Sequence, residues 1–126
     1  MPNGVDVDLF APAQARDAHE ARIRAGIPVE RFVVMYAGRI SPEKGPDLLA
    51  RAARLLDPVR FHFVFVGEWP RGDPGKSERV RYAQGLQREL EGLPHTIVDT
   101  VAPQDMHRTY ALGDLVVIPS RFEEPF

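Results

Sequence analysis

Two basic residues in one short loop are the first candidates for chemistry in this sequence. Arg39 and Lys44 stand five positions apart, and Gly38 and Gly45 flank them. A planar guanidinium and a compact ammonium group together suit the oxygens of a diphosphate. Pro46 suits the first turn of a helix, whose free N–H groups would add to an anion site. Either cation alone would be read as a solvated surface charge, but the pair predicts a diphosphate-binding loop.

A strand must lead into this loop, and a helix must leave it. Residues 33–37 form a continuous apolar run, which is typical of a strand buried on both faces of a parallel sheet. The glycine at position 38 lets the backbone turn sharply where the strand ends. Residues 46–56 have apolar positions at helical spacing. We expect the buried face of that helix to consist of Leu48, Leu49, Ala52, Leu55 and Leu56.

The alternation of strand and helix continues along the chain. The remaining predicted elements are strands at 60–66, 95–101 and 115–118 and helices at 13–25, 77–91 and 103–112. On the helix at 77–91 we expect four residues to face inward, namely Val80, Ala83, Leu86 and Leu90. This pattern predicts an α/β fold, a partial Rossmann-like parallel sheet of about four strands with flanking helices. By analogy with doubly wound sheets we expect the strand order 3-2-1-4.

Three motifs, taken in their order along the chain, resemble one enzyme family. They are N-G-V-D at residues 3–6 with Phe10 and Pro12, G-R-x-x-x-x-K-G at residues 38–45, and the segment 114–120 followed by Glu124-Pro125-Phe126. Their order and spacing are similar to those of the retaining glycosyltransferases of GT-B fold (glycosyl transferases group 1). That family contains sucrose synthase and many bacterial glycan-building enzymes. The resemblance runs nearly from end to end of the chain and implies a partial C-terminal domain, the truncated donor-binding half of a GT-B enzyme.

The resemblance also implies roles for individual residues. It assigns Gly38, Arg39, Lys44 and Gly45 to the diphosphate of a nucleotide-sugar donor, such as a UDP- or GDP-sugar, and Glu124 to catalysis near the donor sugar's hydroxyl groups. The implied reaction is transfer of a hexosyl group to an acceptor with retention, with no metal ion or other cofactor. The acceptor, whether a glycan, a lipid or a small molecule, is left open, as is the role of the neighbouring carboxylate at position 123.

The same resemblance implies that the chain is a piece of a longer protein. Residues 1–30 would be an interdomain linker with a leading helix, and residues 31–126 the partial donor-binding domain, incomplete at its C-terminus. A second glutamate for the ribose is expected at position 132, beyond the last residue, and an amino-terminal domain is expected as a partner. We therefore expect the isolated chain to be inactive in transfer. We also expect it to self-associate through the apolar edge of the strand at 115–118.

Composition argues against several other classes of protein. The chain has 126 residues, with 16 basic and 18 acidic side chains, and a net charge of −2 gives no footprint for nucleic-acid binding. It contains no cysteine, which excludes disulfides, thiolate catalysis and cysteine metal sites. No apolar run approaches the roughly 20 residues that span a bilayer. We expect a cytoplasmic location, or the inner face of the membrane for a longer parent protein.

Several residues with a possible chemical role have a stronger structural interpretation. Asp6-Val7-Asp8 has the D-x-D spacing of metal-dependent glycosyltransferases of another fold, but no strand precedes it. We expect His62 to be structural, His107 to be solvated and Trp69 to anchor a loop rather than contact a ligand. The family usually has a glycine near Thr100, and this departure bears on the backbone geometry near the nucleotide base.

Two other functions stay open. A non-catalytic nucleotide- or phosphate-binding module, or a relic of the same fold, would keep the loop at 38–45 and transfer nothing. A sugar-nucleotide epimerase of related architecture is the weaker alternative, because Glu124 in its E-P-F setting favours a transferase.

Overall fold

Strands and helices alternate along the chain. The computed structural model describes residues 4–12 and 15–123. The helices are α1 (Ala15–Ala25), α2 (Pro46–Ala53), α3 (Glu78–Leu90) and α4 (Met106–Tyr110), with single 3-10 turns at Pro42–Lys44 and Pro103–Asp105. The strands are β1 (Phe32–Ala37), β2 (Phe61–Val66), β3 (His95–Val98) and β4 (Leu115–Val116). Within these described ranges no helix has the length and apolar character needed to cross a membrane.

The strands form one parallel sheet in the order β3-β2-β1-β4, so the predicted Rossmann-like sheet and its strand order are confirmed. β1 pairs with β2 over its whole length, from Phe32 opposite Phe61 to Ala37 opposite Val66. The pairing of β1 with β4 covers only two residues. Because the strands run parallel, their carboxyl ends lie at one edge of the sheet, and β1 leads into the loop at 38–45 there.

Alternate residues of the central strands pack on opposite faces of the sheet. The face covered by α2 and α3 carries Val34, Tyr36, Phe63 and Phe65. The other face carries Val33, Met35, Val64 and Val66, which pack with Ile27 and Leu112. β1 is therefore buried on both faces, as its continuous apolar run predicts.

The inward face of α3 is as predicted, and that of α2 is not. The buried residues of α3 are Val80, Ala83, Leu86 and Leu90. In α2, the helix ends at Ala53 and its buried apolar residues after Pro46 are Leu49, Ala50 and Ala53. Four of the five expected residues are exposed, namely Leu48, Ala52, Leu55 and Leu56. Leu55 and Leu56 lie beyond the last residue of the helix, and its buried apolar face consists of one leucine and two alanines.

β4 forms the outer edge of the described sheet. Its two residues, Leu115 and Val116, are 51% and 41% exposed, and Ile118 is 69% exposed. The strand is shorter than the predicted 115–118, although the N–H of Val117 still donates to the carbonyl of Met35 at 2.8 Å. Unpaired apolar edges invite pairing with another strand or chain, so self-association stays a prediction.

Candidate functional site

The loop after β1 is held by its backbone and by one buried side chain. Ile40, between the two cations in sequence, is fully buried. The hydroxyl of Tyr36 donates a hydrogen bond to the carbonyl oxygen of Arg39. The Arg39 side chain itself is exposed. The core therefore fixes the backbone of Arg39 while its guanidinium extends into solvent.

Two glycines bring the ends of β1 and β2 together beside this loop. The N–H of Gly38 donates to the carbonyl of Val66 at 3.0 Å. A Cβ on Gly67 would lie 2.1 Å from the carbonyl oxygen of Gly38, so only glycine fits there. The contact forms one wall of an open crevice of about 370 Å³ at the carboxyl edge of the sheet, lined by Arg39, Thr100 and Tyr110 among others.

Thr100 fits the rim of the crevice in an ordinary backbone conformation. No non-glycine residue in the described part of the chain has a positive φ. The Asp99 carboxylate accepts the N–H of Thr100 at 2.8 Å and that of Trp69 at 3.3 Å. These hydrogen bonds hold the pKa of Asp99 at about 2. The departure from the family's glycine thus introduces no strain, and Asp99 ties the loop after β2 to the end of β3.

Lys44 lies half-buried at the end of its 3-10 turn, against a later segment of the chain. Its Nζ is 5.1 Å from the centroid of the Phe122 ring, within the range of a cation–π contact. Gly45 has a φ of +73°, and a Cβ there would lie 2.2 Å from the carbonyl oxygen of Pro119. Residues 119–122 therefore lie directly on the loop, and Gly45 is the residue that permits this approach.

The amides at the start of α2 are not free for an anion, so that expectation is wrong. Pro46 has no N–H, the N–H of Asp47 points to the hydroxyl of Tyr82 at 3.3 Å, and that of Leu48 donates to the carbonyl of Gly45 at 2.9 Å. A phosphate at this loop would therefore not be bound by the first amides of α2.

Asp47 is a buried carboxylate that no pattern in the sequence indicates. Arg121 binds it through two nitrogens, Nη1 to Oδ1 at 2.9 Å and Nη2 to Oδ2 at 2.6 Å. The hydroxyl of Tyr82 donates to Oδ1 at 2.6 Å, and Arg51 pairs with Oδ2. No local pattern could have shown this, because Arg121 is 74 residues away along the chain.

The charge of Asp47 is set by these donors. Burial alone would raise the pKa of Asp47, but the hydrogen bonds from Arg121 and Tyr82 and the charges of Arg121 and Arg51 lower it to about 2. Burial and the hydrogen bond to Asp47 raise the pKa of Tyr82, which therefore stays a proton donor. The result is a closed ionic cluster underneath the loop.

Glu124, the predicted catalytic residue, lies outside the described residues, and Glu123 is exposed. Trp69 is buried in the core, which makes it the expected loop anchor. The carboxylate of Asp6 accepts the N–H groups of Asp8 and Leu9, both at 3.1 Å, and so forms a local turn. Over positions 4–12 and 15–123, no group of three or more potential metal ligands occurs.

Neither histidine singled out in the sequence has a role in the loop. His62 is buried, its Nε2 lies 2.8 Å from Thr96 Oγ1, and burial above all lowers its pKa to about 4. It is therefore a neutral structural residue at neutral pH. His107 is half-buried with its ring edge-to-face against Phe10, so the expectation that it is solvated is wrong.

The sequence is similar to one family along most of its length. Residues 17–126 match the family described as glycosyl transferases group 1. The chain is 31% identical over 129 residues to the D-inositol 3-phosphate glycosyltransferase of Corynebacterium glutamicum (strain R), covering 98% of this chain and 29% of that protein. It is 30% identical over 131 residues to the lipopolysaccharide 1,2-N-acetylglucosaminetransferase of Salmonella typhimurium, covering 100% of this chain and 33% of that protein. The chain thus spans about a third of the length of these relatives.

A solved structure shows the same fold. The Anabaena protein Alr3699/HepE in complex with UDP-glucose superposes with a TM-score of 0.80 at 26% sequence identity. The match covers 98% of this chain and 32% of the Anabaena chain.

We predict that Gly45→Ala destabilises the fold more than Gly26→Ala. Both glycines have a φ of +73°, but a Cβ on Gly26 meets no atom within 4 Å. The left-handed backbone should cost each variant about 1–2 kcal/mol. The collision with Pro119 should cost Gly45→Ala about 1–3 kcal/mol more. Urea unfolding of the two variants measures the difference, and equal losses would contradict the close approach of residues 119–122.

The pKa of Asp47 predicts a second, pH-dependent effect. Because its pKa is about 2 in the folded chain and 3.8 in its ordinary state, its ionised form stabilises the fold above about pH 4. That contribution should be lost as the pH falls from about 4 to about 2. The difference in unfolding free energy between wild type and Asp47→Asn should therefore be constant from pH 5 to 7 and shrink below pH 4. A difference that is the same at pH 3 and pH 7 would contradict it.

Proposed function

Because the chain belongs to the glycosyl transferases group 1 family, we propose that its loop at 38–45 binds the diphosphate of a nucleotide-sugar donor. The observation that carries this proposal is the placement of Arg39 and Lys44 on one fixed loop, at the carboxyl edge of the sheet and beside an open crevice. Crevices at this edge are where open parallel sheets bind their ligands. The Anabaena neighbour, which has the same fold, was solved with UDP-glucose.

The proposed reaction is hexosyl transfer from the donor to an acceptor with retention at the anomeric carbon. Negative charge builds on the departing diphosphate as the glycosidic bond breaks, and preorganised cations stabilise it most where they need not move. Arg39 offers a planar fork for two phosphate oxygens, and Lys44 a compact charge. The crevice beside Arg39, with Thr100 at its rim, is the proposed place for the nucleoside.

The first test of the proposal is to measure UDP binding after one of the two loop cations has been removed. We expect Arg39→Ala and Lys44→Ala each to weaken UDP binding by roughly 10- to 150-fold, since a hydrogen bond to a charged group contributes about 1.5–3 kcal/mol. Titration calorimetry with UDP measures both variants. Arg60→Ala is the control, because Arg60 is exposed just before the amino end of β2, at the opposite edge of the sheet. Equal UDP affinity in wild type and both loop variants would overturn the assignment.

Glu124 is proposed to act on the sugar and not on the diphosphate. We therefore expect Glu124→Gln to weaken binding of UDP-glucose by roughly 10- to 150-fold while leaving the affinity for UDP within about threefold. Glu123→Gln, which alters the neighbouring exposed carboxylate, is the matched control. Calorimetry with the two ligands gives both ratios. If UDP and UDP-glucose lose affinity equally, or if neither does, Glu124 does not act on the sugar.

A further inference from the structure

Arg121 contacts two parts of the chain that are distant from it in sequence. They are the 3-10 turn at Pro42–Lys44 and the first turn of α2. Its Nη1 donates to the carbonyl of Pro42 at 2.6 Å as well as to Asp47. Its backbone N–H donates to the carbonyl of Glu43 at 2.8 Å. Arg121 thus binds the 3-10 turn that ends at Lys44 through two carbonyl oxygens, and the first turn of α2 through a carboxylate.

From these contacts we propose that Arg121 is a positioning residue for the loop, which it holds in the one geometry that places Lys44 for the diphosphate. This inference rests on the proposed donor function. Arg121 would not touch the ligand, because in this geometry its guanidinium is turned to Asp47 and Pro42. It would act through Lys44, whose ammonium lies over the ring of Phe122, the residue that follows Arg121.

The chain on either side of Arg121 supports this role. Two residues earlier, the carbonyl of Pro119 fills the space that a Cβ on Gly45 would need. One residue later, Phe122 contacts Lys44. The segment therefore meets the loop at Pro119, Arg121 and Phe122, and Arg121 supplies the directional hydrogen bonds among them. A bidentate arginine–carboxylate pair fixes orientation as well as distance, which a lysine at this position could not do.

Asp47 provides a matched comparison for the test. Arg51 also pairs with Asp47, but it stands one turn later on the same helix with a side chain 54% exposed. No hydrogen bond from Arg51 to the 3-10 turn occurs among the described residues. Removing Arg51 weakens the ion cluster without releasing the loop, whereas removing Arg121 does both. A purely structural ion pair would make the two variants alike.

The experiment uses the 126-residue chain with Arg121→Ala, Arg121→Lys and Arg51→Ala, at a temperature where each variant is folded. Amide hydrogen exchange is followed at Lys44, Gly45 and Leu48, whose N–H groups donate to the carbonyls of Ser41, Pro42 and Gly45. Exchange at these amides should rise at least tenfold in Arg121→Ala and less than threefold in Arg51→Ala. Arg121→Lys should be intermediate, and it replaces the alanine variant if that one does not fold. Equal exchange in the Arg121 and Arg51 variants would overturn the inference.

A double-mutant cycle with UDP tests whether Arg121 acts through Lys44. Arg121→Ala should weaken UDP binding at least tenfold in the wild-type background but no more than about twofold when Lys44→Ala is already present. Full additivity would mean that Arg121 binds the nucleotide directly or acts elsewhere, and would overturn the inference. If the wild-type chain does not bind UDP, the proposed function fails. The hydrogen-exchange comparison then decides by itself whether Arg121 holds the loop.

Discussion

The carboxylate of Asp47 is buried, so the surrounding chain has to supply donors that compensate its charge. Removing an ion from water costs several kcal/mol in a protein interior, and only well-placed donors offset it. Here the donors come from three places: Arg51 on α2 itself, Tyr82 on α3, and Arg121 in the segment after β4. The start of α2 is therefore fixed against α3 and against residues 119–122 by one group. Losing a single donor would leave the carboxylate partly uncompensated, which is costlier than never burying it.

The basic residues near the loop therefore fall into two sets, according to whether they bind Asp47. Arg51 and Arg121 compensate Asp47, and their pairing holds the pKa of the carboxyl at about 2. Arg39 and Lys44 belong to the loop itself. Asp47 is therefore compensated by donors other than Arg39 and Lys44.

Sequence reasoning succeeded where a pattern is local and failed where a contact is distant. The apolar run of β1, the glycine turn after it and the spacing of Val80, Ala83 and Leu86 each report on neighbours within one element. The buried face of α2 depends instead on where the helix ends and on what it packs against, and Leu55 and Leu56 lie beyond its last residue, Ala53. The pairing of Asp47 with Arg121 spans 74 residues and has no periodic signal. An acidic residue in the first turn of a helix is ordinarily explained by the helix dipole, which gives no hint of a buried partner.

The correction at the start of α2 changes how the loop can work. Because the N–H groups of Asp47 and Leu48 are occupied by Tyr82 and by the helix's own hydrogen bond, they are not free for an anion, and in the proposed function the side chains of Arg39 and Lys44 contact the diphosphate. They are prepared for this differently. Lys44 is half-buried under Phe122 and loses little freedom when a ligand binds, whereas the exposed side chain of Arg39 must be ordered at a cost of up to about 2 kcal/mol. The hydrogen bond from Tyr36 fixes the backbone of Arg39 and so confines that cost to the side chain. In the proposed function Lys44 would therefore provide a fixed point of charge, and Arg39 a fork whose side chain becomes ordered on the diphosphate.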